Sequence, residues 1–245
     1  MRPTNEVKKQ ARLAGLLYLL ASLAAPIGLI YVPNKLIVLN DATATANNIR
    51  ASESLLRLGI GCELLGSILF ILVVVALYRL FKPVNETHAL AMMILILVSI
   101  PISLLSVVNE VVALTVVSGA DFLSVFATGQ LNTLAYILMR LHSRAILVAE
   151  IFWGLWLIPF GILIIQSRFI PRVLGYLLFL AALGYLASSV TFLLLPSYGD
   201  FIDKFASQLP LAELPIILWL LIFGAKDQTK AGAAETVSQI IVTSD

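Results

Sequence analysis

Charged residues and cysteine are both scarce in this chain of 245 residues. Asp, Glu, Lys and Arg make up 12% of it, whereas a soluble globular domain contains about 25%. Hydrophobic residues make up 60% and the mean hydropathy is +1.00, so the composition excludes a soluble globular protein and indicates an integral membrane protein. The formal net charge of +2 comes from scattered basic residues, which gives no basic patch for nucleic acid.

The side chains that most enzymes need are also missing. The single cysteine, Cys62, excludes an intramolecular disulfide and a CxxC metal site. The sequence has no histidine pair of the kind that binds zinc, no Ser-His-Asp set and no glycine-rich phosphate loop. His142 could join an acidic cluster as a metal ligand. Its position near Arg140 and Arg144, however, favours the interpretation that it lies at the membrane interface. No catalytic residue or metal site is therefore predicted, the cofactor is left open, and an enzyme ranks below a binding protein.

Long apolar stretches are what the sequence does contain. They run continuously instead of alternating with polar residues, so they predict helices and exclude the strands of a membrane β-barrel. The six predicted spans cover residues 13–32, 55–80, 89–117, 145–165, 173–195 and 209–225. The fold expected is an all-α membrane bundle of six helices, with residues 1–225 as one domain and residues 226–245 as a disordered cytoplasmic tail.

Lysine and arginine set the expected orientation. Ten of them fall on the side of the amino terminus and six on the other side, which predicts that both termini are cytoplasmic in a bacterial inner membrane. The first apolar run has about 20 residues, which is longer than the 7 to 15 of a cleaved signal, so it is interpreted as a retained helix. The connections over residues 121–141 and 198–209 have aromatic residues at near-helical spacing and are predicted to be short amphipathic helices at the outer surface.

Four glutamates lie inside these apolar stretches: Glu63, Glu110, Glu150 and Glu213. An ionisable side chain at this depth costs roughly 2.5 to 3.5 kcal/mol on insertion, so such residues usually face the bundle interior. With about 1.5 Å of helix rise per residue, all four fall in the outer half of the membrane. Glu110 also lies on a stripe with Ser99, Ser103, Ser106 and Ala113, and stripes of small residues pack against other helices.

These positions predict an acidic chamber that binds a cation or a proton together with a small molecule. Glu63, Glu110 and Glu150 are expected to converge as its core, with Glu213 nearer the mouth. Three further residues are candidates for the same site: Arg57 and Arg144, which would tune the charge, and Asn109. Two alternatives stay open, namely a sensor, accessory or scaffold protein whose glutamates only fix helix packing, and an intramembrane enzyme. The expected partners are the lipid bilayer and a small cation, a proton or a lipid-like ligand, and the oligomeric state is left open.

A weak internal repeat links two of these glutamates. The pattern A-E-x4-L-W-L-x2-F-G occurs at Ala149 to Gly161 and again at Ala212 to Gly224. It suggests three parallel helix hairpins around an axis along the membrane normal.

Several blocks resemble a known family. They are R-L-A-G-L-L-Y-L-L-A-S from Arg12, S-E-S-L-L-R-L-G from Ser52, F-W-G-L-W-L-I-P-F-G from Phe152, R-F-I-P-R-V-L-G from Arg168 and E-L-P-I-I-L-W-L-L-I-F-G from Glu213. Together they are similar to a bacterial membrane-protein family catalogued as a domain of unknown function, number 4386. The resemblance implies a bacterial polytopic membrane protein and carries no activity with it.

Overall fold

The computed structural model describes residues 4–225, and the predicted tail over residues 226–245 lies outside this range. The described part contains nine α-helices, joined in places by short turns of 3-10 helix. The helices are α1 (Thr4–Pro26), α2 (Val32–Leu36), α3 (Ala42–Ala51), α4 (Glu53–Phe81), α5 (Glu86–Val117), α6 (Thr128–Ser167), α7 (Arg172–Leu194), α8 (Gly199–Ala206) and α9 (Leu214–Ile222).

Six helical segments of this part are long and apolar enough to cross a membrane. The first runs from α1 through α2, the next four are α4 to α7, and the sixth runs from α8 to α9. The all-α membrane bundle predicted from the apolar stretches is therefore confirmed. Because the segments alternate in direction, α3 and α8 lie at the same end of the bundle, and α3 follows the first span directly.

The six segments form a closed ring. Each of α1, α4, α5, α6 and α7 packs against the next in that order. The ring closes because the 3-10 turn Leu209–Glu213 packs on α7 while α9 packs on α1. A ring of six helices surrounds a central space, and that space contains the chamber described below.

Glycines allow the closest helix contacts in this ring. A Cβ atom added at Gly161 of α6 would lie 2.8 Å from the carbonyl oxygen of Gly175 of α7, and one added at Gly175 would lie 2.7 Å from the oxygen of Gly161. Such contacts bring two helix backbones together without the hydrophobic effect that drives packing in water. On α5 the predicted stripe of Ser99, Ser103 and Ser106 is buried, and Ser99 and Ser103 line the cavity described below.

The first span is irregular where it faces α4. A π-helical turn, Ile27–Tyr31, joins α1 to α2 and lies between Pro26 and Pro33. Neither proline has a backbone N–H for the regular helical hydrogen bond, so the helix changes its pitch here. Gly28 in this turn lies against α4: an added Cβ atom would be 2.4 Å from Cγ of Glu63. The turn therefore packs closely against Glu63, one of the buried glutamates.

The predicted surface helix over residues 121–141 is wrong. Helix α6 begins at Thr128 and continues for 40 residues to Ser167, a length of about 60 Å against a hydrocarbon core of about 30 Å. Its first turns are polar, yet Ala135 and Met139 are fully buried in a cluster with residues of α2 and α3. In the same region Nη2 of Arg50 donates a hydrogen bond to Oδ1 of Asn132 at 2.7 Å. Packing against α3 thus extends the helix beyond its apolar span. A short helix does form in the second of these predicted regions, as α8, and its Asp203 faces the cavity described below.

Candidate functional site

Two buried glutamates meet the histidine of α6. Nε2 of His142 is hydrogen-bonded to Oε2 of Glu63 at 3.1 Å and lies 3.8 Å from Oε1 of Glu110. The three residues come from α4, α5 and α6, and their exposed fractions are 4% for Glu63, 0% for Glu110 and 1% for His142. We call Glu63, Glu110 and His142 the histidine cluster. It lies inside protein rather than against lipid.

The histidine cluster is short of hydrogen-bond partners. Within residues 4–225, neither carboxylate oxygen of Glu110 has one, and the same holds for Oε1 of Glu63 and Nδ1 of His142. Buried polar side-chain atoms nearly always have a partner, and each missing one costs about 1–3 kcal/mol. The described helices therefore do not provide hydrogen-bond partners for all the buried polar atoms of this cluster.

A cavity of about 400 Å³ lies beside this cluster, within the ring. All six spanning segments contribute to its wall, and Glu63 belongs both to the wall and to the histidine cluster. We call this cavity the chamber. Its lining holds four acidic side chains and, among the described residues, neither lysine nor arginine. The acidic residues are Glu63, Glu150, Asp203 and Glu213.

Hydroxyl groups hold three of these carboxylates in place. Tyr18 donates a hydrogen bond to Oε2 of Glu213. Ser189 donates to Oε2 of Glu150 at 3.4 Å, and Ser188 donates to Oδ1 of Asp203 at 3.1 Å. These donors are neutral, so they orient the carboxylates without cancelling their charge.

Aromatic rings form another part of the chamber wall. The ring centroids of Tyr18 and Phe70 are 5.5 Å apart, and those of Phe70 and Trp156 are 5.7 Å apart. Trp153 and Tyr185 also line the chamber and form an edge-to-face pair, with ring centroids 6.0 Å apart. Nε1 of Trp153 also donates to Oγ of Ser99 at 3.1 Å, which fixes the orientation of the indole ring. The chamber therefore combines acidic groups with aromatic side chains held by their neighbours.

Residues 13–224 match the model of the family described as Domain of unknown function (DUF4386). The chain belongs to this family. The matched range includes all six spanning segments in large part, together with the whole histidine cluster and every residue of the chamber wall. The search found no match among curated proteins or solved structures.

In this member of the family the four predicted glutamates do not form one group. Glu63 and Glu110 converge, as expected, in the histidine cluster. Glu150 lies instead on the chamber wall with Glu63 and Glu213, while Glu110 is not among the wall residues described. The acidic residues thus occupy two adjacent places that share Glu63.

None of the other three candidate residues has a hydrogen bond or ion pair to a buried glutamate among the described residues. Nη2 of Arg57 forms an ion pair with Oε1 of Glu53 at 2.6 Å on its own helix, and the Arg57 side chain is 65% exposed. Arg144 is also exposed, on α6. Asn109 donates from Nδ2 to the backbone oxygens of Leu105 and Ser106, one turn back on α5. Neither arginine therefore brings its positive charge to the buried glutamates.

Sequence reasoning considered His142 for an acidic cluster but favoured an interface role, and it missed Asp203, Tyr18 and Tyr185. A signal for His142 exists, because it continues a stripe with Ile146, Ala149, Trp153 and Trp156 at steps of four, three, four and three. That stripe is visible only when the helix is extended past Ala145 toward Thr128. Asp203 has a weaker signal, since it lies one residue after Ile202 in an amphipathic segment.

Proposed function

We propose that the protein binds a small organic cation in the chamber and moves it across the membrane in exchange for protons or other cations. The observation that carries this proposal is the set of four acidic side chains in a cavity wall without lysine or arginine among its described residues. Carboxylates that share a low-dielectric space cannot all be charged without a compensating cation. Protons or a bound cation supply that compensation, so cation entry and proton release are linked.

The aromatic part of the wall favours an organic cation over a bare metal ion. Aromatic faces attract ammonium groups through their quadrupole, by about 0.5–2 kcal/mol for each contact, and carboxylates add charge complementarity. A volume of about 400 Å³ also falls within the range of about 300–1,000 Å³ that is typical of small-molecule sites. Quaternary and secondary ammonium compounds carry the required charge on an apolar body.

Transport is tested by flux into proteoliposomes. We expect liposomes with the wild-type protein to take up labelled tetramethylammonium faster than protein-free liposomes, and an outward proton gradient to change the rate. Glu150→Gln keeps the size of the side chain and removes its charge, so the uptake rate should fall at least tenfold. The matched control is Glu86→Gln, because the Glu86 side chain is 62% exposed and pairs with Lys82. Uptake equal to that of protein-free liposomes would reject transport.

The second candidate function is a sensor, accessory or scaffold protein in which the glutamates only fix helix packing. Two internal hydrogen bonds favour it, from His142 to Glu63 and from Tyr18 to Glu213. Buried polar pairs are known to set packing register in helical assemblies. Ligand binding without flux would support a sensor, whereas the absence of both would support packing alone.

We also propose that both termini face the cytoplasm of a bacterial inner membrane, because lysine and arginine are more frequent on their side. Single cysteines introduced at Lys9 and at Asn40, in a background with Cys62→Ala, report the orientation. We expect a membrane-impermeant maleimide added outside the cell to label position 40 and to leave position 9 unlabelled. The reverse labelling would contradict the orientation.

A further inference from the structure

We propose that Glu63, Glu110 and His142 form a binding site for one divalent transition-metal ion, with Zn²⁺ as the best fit. One ligand atom from each residue lies within 4.8 Å of the others. The three side chains come from three different helices, so an ion here would join α4, α5 and α6. This site shares Glu63 with the chamber, but its other two residues, Glu110 and His142, are not among the wall residues described, and metal binding does not require that the chamber bind an organic cation.

The spacing of the donor atoms suits a metal. Zn²⁺ binds nitrogen and oxygen at about 2.0–2.2 Å, so a tetrahedral site holds its ligand atoms about 3.3–3.6 Å apart. Nε2 of His142 lies 3.1 Å from Oε2 of Glu63 and 3.8 Å from Oε1 of Glu110. These two separations lie on either side of the expected one, and the ligand atoms of all three residues lie within 4.8 Å of one another.

The chemistry of the donors selects the class of ion. Two carboxylates neutralise the charge of a divalent ion inside a low-dielectric bundle, and the imidazole adds a neutral ligand. Mg²⁺ and Ca²⁺ prefer sites made of oxygen alone, whereas imidazole suits Zn²⁺ and other first-row transition metals. Coordination at Nε2 also places the histidine proton on Nδ1.

The missing hydrogen bonds favour metal binding by these three residues over a role in helix packing alone. Glu110 is fully buried, and within the described residues neither of its oxygens has a hydrogen-bond partner, although one lies 3.8 Å from His142 Nε2. A network that served packing alone would satisfy a group at this depth, because a half-satisfied polar network is less favourable than an apolar core. An ion bound to Glu63, Glu110 and His142 supplies the partner that the helices lack.

The number of protein ligands also indicates an accessible ion. Structural zinc sites have four protein ligands, whereas sites with three keep a coordination position for water or substrate. Glu63 lies on the chamber wall as well as in the histidine cluster. We therefore place the ion at the edge of the chamber, where a chamber ligand or a water molecule reaches it.

Metal binding is tested on the whole protein, purified with a tag that contains no histidine and stripped with a chelator. We expect one Zn²⁺ per chain by elemental analysis after dialysis, a Tm that rises with the Zn²⁺ concentration, and no comparable rise with Mg²⁺. Co²⁺ added in place of Zn²⁺ should give the intense visible absorption of a four- or five-coordinate site. Less than 0.2 Zn²⁺ per chain, or an equal response to Mg²⁺, would overturn the proposal.

Variants locate the site. Glu110→Gln and His142→Gln should each weaken Zn²⁺ binding more than 100-fold, since loss of an outer-shell partner alone costs about 10–100-fold. His88→Gln is the matched control, because His88 is the other histidine of the chain and lies at the opposite end of α5 from Glu110. If a variant does not fold, the wild-type stoichiometry and the Co²⁺ spectrum still decide. Unchanged Zn²⁺ affinity in folded Glu110→Gln would reject the site, and tetramethylammonium binding by the same protein would show that the chamber proposal survives that failure.

Discussion

His142→Leu should destabilise the metal-free protein more than any other single substitution in the histidine cluster. The imidazole is hydrogen-bonded to Glu63 at 3.1 Å and lies 3.8 Å from Oε1 of Glu110. Its removal leaves the carboxyl group of Glu63 without a hydrogen-bond partner from the described residues, and it also removes the imidazole that lies 3.8 Å from the unpartnered Glu110. Breaking a buried ionic pair by removing one member costs about 3–5 kcal/mol. The measurement is the free energy of unfolding in detergent, with chelator present.

Two controls show whether the loss comes from the unpaired carboxyl groups. His88→Leu removes the other histidine and should change stability by no more than about 0.5 kcal/mol. The triple variant Glu63→Leu, Glu110→Leu, His142→Leu replaces the whole cluster by apolar side chains and should recover most of the loss. If His142→Leu unfolds at the same free energy as His88→Leu, the contacts of the histidine cluster do not contribute to stability.

Glu150→Lys should abolish organic-cation binding in the chamber. At an effective dielectric constant of about 20, a unit charge about 6 Å from a bound cation contributes about 2.8 kcal/mol. Exchanging attraction for repulsion therefore changes the binding energy by about 5–6 kcal/mol, which weakens binding on the order of 10⁴-fold. The fold should tolerate the lysine, because Glu63, Asp203 and Glu213 line the same chamber and neutralise it.

The check is the Kd of tetramethylammonium measured by equilibrium dialysis for Glu150→Lys and for Glu86→Lys. Glu86 has an exposed side chain in the first turn of α5, so its reversal changes the net charge equally without placing charge in the chamber. We expect the wild-type Kd for Glu86→Lys and no measurable binding for Glu150→Lys. Equal Kd values for the two variants would show that the cation binds elsewhere.

Much of the fold could be predicted because lipid imposes simple rules on sequence. Each span needs a long apolar run, and an ionisable residue within such a run turns toward protein, as Glu63 and Glu110 do. The residue at which α6 begins could not be predicted from these rules. Residues near Asn132 are polar, and only the contact with Arg50 of α3 shows why they continue the helix.

The burial of acidic side chains could be predicted from the sequence, but their arrangement could not. Helical periodicity shows which face of one helix is polar, but it does not give the rotation of that helix relative to the others in the ring. Glu150 therefore lies on the chamber wall, whereas Glu110 is not among the wall residues described. The role of His142 depends on the extension of α6, and the pairing of Arg57 with Glu53 reflects an i, i+4 spacing that competes with any contact between helices.

The most direct test of the cation site compares choline with 3,3-dimethylbutan-1-ol on the wild-type protein. The two molecules have nearly the same shape, and the positively charged nitrogen of one is a neutral carbon in the other. Thermal unfolding of the purified protein is measured against the concentration of each, since a ligand that binds the folded state raises Tm by mass action. The acidic chamber predicts a saturable rise in Tm with choline and none with the alcohol. The same curve for both compounds, or no rise with either, would contradict recognition of positive charge by the chamber.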